Sequence, residues 1–106
     1  MDRNPPRSIR YKDFIERFPG VGEAWETLHR QEAEGPLDEK ALRLAKLGVA
    51  IGSHREGAVR TAVRKALRAG IDRASIEQVV ALSVSTVGLP SAAAVWTWIQ
   101  DLLDEA

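Results

Sequence analysis

IDRASIEQVVALSVSTVGLP, residues 71–90, decides the fold class. The stretch is rich in β-branched residues, which favour strands. Its apolar positions nevertheless recur at helical spacing. Ile76, Val79, Val80, Ser83, Val84 and Val87 follow the i, i+3, i+4 pattern, a period near 3.6 rather than the 2 of a strand. Asp72 stands at the N-cap position, where a side-chain oxygen can take a first-turn N–H. Gly88 ends the run. Pro90 falls in the first turn of a following helix, where a missing N–H costs nothing. Ala81 and Leu82 lie on the opposite side, so the helix is expected to be covered on more than one face.

Working outward gives more helices. Upstream, Val59, Ala62, Val63, Ala66 and Leu67 form the apolar face of a helix expected from His54 to Ala69, with Gly70 as its C-cap. Before it, DEKALRLAKLGVAIG opens on the cap residue Asp38. From Leu44 to Ile51 that segment is apolar on nearly every side except Lys46, and a helix apolar all round is a buried one. In a chain of 106 residues, two such helices imply cover from other subunits. Further upstream, Val21, Ala24, Trp25 and Leu28 have helical spacing, with Glu26 and Arg30 at i, i+4, and Gly35 and Pro36 end the run. Tyr11–Phe18 predicts a short helix stopped by Pro19 and Gly20. Residues 1–10, with Pro5 and Pro6 among charges, read as an extended arm before a single domain over 11–106. Downstream, Trp98, Ile99, Leu102 and Leu103 anchor the last helix. The fold class is all-α, a bundle of about five to six helices joined by Gly/Pro turns.

Composition narrows the function. Fifteen basic and fifteen acidic residues leave no net charge, whereas a nucleic-acid or membrane-surface protein usually carries a basic excess. Neither nucleic acid nor membrane is expected as a partner. No apolar run reaches bilayer length, and MDRNPPRSIRYKDF holds no apolar signal core, so a cytoplasmic location is expected. The chain has no cysteine, which removes disulfides, thiolate metal sites and sulfur nucleophiles together. Its two histidines, His29 and His54, stand far apart. No metal and no cofactor are expected.

The stretch Ser53-His54-Arg55-Glu56 carries the functional question. Ser53-x-x-Glu56 has the form of a capping box, each side chain reaching the other's backbone N–H. Alternatively, His54, Arg55 and Glu56 line a pocket at a helix N-terminus, where free N–H groups and the dipole favour an anion such as a carboxylate. The two readings are compatible. Arg60, Arg64 and Arg68 make a basic stripe, with Lys65 and Arg73 nearby. It reads as a solvated face or one that pairs with acids of a neighbouring subunit, because no aromatics interleave to stack on bases. Trp96 and Trp98 point to different sides of one helix, so at most one faces the chain's own core. Core or subunit-interface packing is the plainer role for both, and a pocket wall the alternative. His29 reads as a surface residue.

The pieces in order resemble the carboxymuconolactone decarboxylase family, which includes the alkylhydroperoxidase D-like proteins. FIERFPGVGEAWETL, GPLDEKALRLAKLGVAIGS and VRKALRAGIDRASIEQVVALSVSTVGLPSAAAV carry the resemblance, from about Phe14 to Leu103. It implies an all-helical bundle assembling as a homotrimer or homohexamer. The family's peroxidase branch uses a Cys-x-x-Cys followed by a histidine, and those positions correspond to Arg55, Ala58 and Ala62. Its assisting glutamate corresponds to Arg43. All four residues are absent here, so thiol-dependent peroxide reduction is excluded. The decarboxylase branch carries a Gly-Arg-Glu-type segment that Arg55-Glu56 matches in spacing, but its histidine also falls on Ala62. His54 lies eight residues earlier, about 12 Å along a helix axis.

Two functions follow. In the first, a lactone or keto acid binds with its carboxylate near Arg55, with Arg43 and Trp96 as further binding candidates. His54 or Glu56 then protonates the carbanion left when CO₂ departs. In the second, the chain is a non-catalytic oligomeric binding or scaffold protein that has lost the family's reactive residues.

Overall fold

The computed structural model describes residues 7–106. Six helices occur among them: α1 (Arg7–Arg17), α2 (Pro19–Ala33), α3 (Glu39–Ser53), α4 (Glu56–Arg68), α5 (Arg73–Val87) and α6 (Leu89–Glu105). The described residues contain no strand, as the period of the 71–90 stretch requires. The first helix begins at Arg7 rather than at Tyr11, so residues 7–10 are helical and not part of an extended arm. Residues 1–6 of that arm lie outside the described residues.

The chain divides between Pro36 and Leu37 into two compact units. The first contains α1 and α2. Pro19 sits in the first turn of α2, after Phe18 as N-cap. Gly22 lets the two helices approach closely, because a Cβ there would lie 2.7 Å from Ile15 Cγ2. The rings of Phe14 and Phe18 lie 5.7 Å apart. His29 is exposed, as expected, and meets Trp25 edge-on at 4.8 Å. Arg30 donates to the Thr27 hydroxyl at 3.3 Å rather than pairing with Glu26.

The second unit is a four-helix bundle. Neighbours run in the cyclic order α3, α4, α6, α5, and α4 also touches α5 across the centre. Each helix turns a stripe of branched side chains inward: Leu47 and Ile51 from α3, Val59 and Val63 from α4, Ile76 from α5, Val95 and Ile99 from α6. All are 1% exposed or less. Fully burying side chains of this size is worth about 1.5–3 kcal/mol each relative to exposure, which makes this core the main support of the unit.

The ends of the helices follow from local chemistry. Asp38 caps α3 by accepting the Ala41 N–H at 2.8 Å. After Ala69, Gly70 takes a left-handed conformation (φ +84°). Gly70 N–H then bonds to Leu67 O and Ile71 N–H to Ala66 O, each at 3.0 Å. This paired closure is a Schellman motif, and it carries Ile71 into the core next to Ala66. Asp72 occupies the N-cap position of α5, but its carboxylate takes the Ser75 hydroxyl at 2.6 Å instead of a backbone N–H. That hydroxyl holds the Asp72 carboxyl below its ordinary range.

Within the single chain, α3 and α5 each keep an uncovered apolar face, the faces for which cover from other subunits is expected. Val49 is 68% exposed and Leu82 66%. The four-helix bundle covers one face of each helix and leaves their other faces to solvent.

Candidate functional site

The Ser53–Glu56 stretch spans the corner between two helices. Ser53 is the last residue of α3, and its hydroxyl donates back to Ala50 O at 2.6 Å. His54 turns the chain with φ 53° and ψ 35°, and its N–H donates to Ile51 O at 3.0 Å. Arg55 is the extended N-cap of α4, and Glu56 is that helix's first residue. The capping-box expectation is therefore corrected. Ser53 closes the preceding helix rather than opening the next, and α4 starts at Glu56, not His54. A left-handed residue with a Cβ costs roughly 1–2 kcal/mol, and histidine is among the types found there more often than most.

The α4 N-terminus carries no side-chain cap. The first-turn N–H groups of a helix have no partner within the helix itself, so they face the approach to the Arg55 corner. The His54 ring leaves this corner toward α6 and meets the indole of Trp98, centroid to centroid at 4.9 Å and tilted by 43°. The Trp98 carbonyl in turn accepts the Arg60 guanidinium. Arg60 also grips Asp101 through two parallel bonds of 2.8 and 2.9 Å. The hydrogen bond to Asp101 raises Arg60 above its ordinary value. The same bond lowers the Asp101 carboxyl to about 2.

This pairing corrects the reading of the basic stripe. Arg60 is neutralised by an acid of its own chain. Arg73 behaves likewise, bonding Glu77, Asp104 and Gln100 at 3.1, 2.9 and 3.2 Å, which ties the start of α5 to the end of α6. The Asp104 and Glu77 carboxylates raise the Arg73 value.

The structure brings His54, Arg55 and Glu56 together at one exposed corner. The other two candidates lie elsewhere. Arg43 is half-buried on α3, pairs with Glu39 at 3.5 Å, and stands about 16 Å back along the helix axis from His54. Trp96 is 41% exposed on α6, while Trp98 is the tryptophan that packs against the core. The tryptophan beside His54 is thus Trp98, whereas Trp96 is the one expected among the binding candidates. No local pattern links positions so far apart in the chain.

Sequence reasoning also missed a groove of about 600 Å³ between α3 and α5. Leu44, Gly48 and Gly52 form one wall and Val79, Leu82 and Thr86 the other. The available signal was Gly48 and Gly52 at i, i+4 in an apolar helix. None of the five candidate residues lines this groove. Among the described residues no three His, Asp or Glu side chains converge as a metal site would need. No described helix is long and apolar enough to cross a membrane.

The fold and the corner define a class: an all-helical protein with a four-helix bundle, no thiol, and a basic, uncapped helix start. Residues 19–101 match the model of the carboxymuconolactone decarboxylase family, and the chain belongs to that family. Neither the curated proteins nor the solved structures gave a match. The positions at which the resemblance puts the family's thiols and histidine are Arg55 and Ala58, both exposed, and the half-buried Ala62.

Proposed function

We propose that this protein is a homo-oligomer that takes a small carboxylate-bearing lactone or keto acid at the α3–α4 corner and decarboxylates it without a cofactor. One observation carries the reading: the α4 N-terminus has no side-chain cap, Arg55 is its N-cap residue, and His54 and Glu56 flank it. The first-turn N–H groups and the Arg55 guanidinium attract the carboxylate. As the bond to CO₂ breaks, its electron pair stays on the substrate as a carbanion or enolate. A proton from His54, or from a protonated Glu56, then completes the product. Proton transfer of this kind contributes about 10²–10⁴ in rate.

The test is proton NMR of the purified protein with γ-carboxymuconolactone, beside His54→Ala and Glu56→Gln. Loss of substrate with the enol-lactone appearing, and no loss in His54→Ala, supports the reading. An unchanged spectrum with the native protein overturns decarboxylation of that compound. A non-catalytic oligomeric binding or scaffold protein is then the reading that remains.

A further inference from the structure

We infer that Trp98 is the positioning residue for His54, and that the pair forms a proton-responsive clasp between the α3–α4 corner and α6. This rests on the reading of His54 as the proton carrier, and it names what holds that side chain in place.

The geometry supplies three supports. The imidazole and indole centroids are 4.9 Å apart, within the roughly 6 Å over which a cation is drawn to an aromatic face. The backbone at His54 is left-handed, so few backbone and side-chain combinations are open to it. Trp98 is itself fixed from both sides: its ring packs on the bundle core, and its carbonyl is held by Arg60, which Asp101 clamps. His54 is exposed and would otherwise sample solvent. Contact with Trp98 holds the ring against α6 instead.

Protonation changes the strength of the contact. Neutral imidazole meets indole as one aromatic ring meets another, whereas imidazolium adds a cation–π attraction. The charged groups next to His54 in the chain are Arg55 and Glu56, and those next to its partner Trp98 are Arg60, on the Trp98 carbonyl, and Asp101. The last two are already joined to each other. Protonation of His54 therefore tightens the clasp and adds a positive charge at the α3–α4 corner.

Two measurements without substrate test the clasp itself, so its failure is distinguishable from a lack of turnover. The first is the NMR shift of the His54 ring protons. The nearby indole should displace them upfield. Trp98→Leu should lose that displacement, and Trp98→Phe should keep part of it. The second is tryptophan fluorescence against pH. Imidazolium quenches a neighbouring indole, so acid should dim the native protein and the His29→Gln variant, which removes the other histidine–tryptophan contact. His54→Asn should lose the His54-dependent part of that dimming. Asparagine tolerates the left-handed turn, so this variant removes the imidazole while keeping the corner, and it serves even if Trp98→Leu does not fold. Ring shifts that are the same with and without Trp98, or an acid response unchanged in His54→Asn, overturn the inference.

Discussion

His54 is held in a conformation that a Cβ makes unfavourable, with φ 53°, and its ring contact with Trp98 offsets part of that cost. The two effects separate by substitution. His54→Ala loses the ring and keeps the strain, while His54→Gly loses both. The glycine variant should therefore be more stable than the alanine variant by about 1 kcal/mol, measured by urea unfolding. Equal stabilities would mean that the corner relaxes in the alanine variant. Asp101 is the second residue with a readable consequence. Arg60 lowers its carboxyl from the ordinary 3.8 to about 2, so the folded chain holds that proton more weakly than the unfolded chain. The stabilisation from this pair is complete above the ordinary value and is lost as the pH falls toward 2. Asp101→Asn should flatten the stability profile across that window and leave its shape near neutral pH unchanged. Melting temperatures recorded from pH 5 to pH 2 would check this. Both residues are plain in the sequence, but their partners are not. Arg60 and Asp101 are 41 positions apart, and nothing in the spacing of either helix announces the pair.

At the scale of elements, the helices and most of their ends follow from local chemistry. Asp38 caps α3, Pro19 and Pro90 fall in first turns, and Gly70 turns the chain after α4. Gly70→Ala tests the last of these. The added Cβ meets nothing within 4 Å, so only the left-handed backbone opposes it. The expected loss is about 1–2 kcal/mol, read as a lower urea midpoint with unchanged slope. The α3–α4 junction was misread because Ser53-x-x-Glu56 has the residues of a capping box. Ser53 can bond either forward to an N–H or backward to a carbonyl, and sequence does not say which. The turn at His54 reverses the chain and leaves the Ser53 hydroxyl bonded to Ala50 O.

For the whole molecule, the four-helix unit decides which apolar residues are core. Leu47 and Leu82 look alike in sequence, each at helical spacing in an apolar run. Leu47 is 0% exposed and Leu82 66%. Leu47→Ala should destabilise by about 2–5 kcal/mol through the lost contacts and the cavity. Leu82→Lys should change the stability of the single chain by no more than about 0.5 kcal/mol. In the proposed assembly, the α3 and α5 faces meet a second copy, and Leu82→Lys should then lower the mass seen by sedimentation velocity to that of one chain. A native protein that already sediments as one chain would sink the assembly.

The sequence by itself determined the helical class, the inward stripes of α4 and α6, the Asp38 cap, the turn at Gly70 and the exclusion of thiol chemistry. Each depends on residue type or on spacing within one helix. Only the tertiary structure decided that α3 and α5 keep an uncovered face, that Trp98 rather than Trp96 stands beside His54, and that Arg60 is neutralised by Asp101. These outcomes depend on which helices become neighbours. Packing sets that order, and periodicity along one helix does not record the face another helix will present to it.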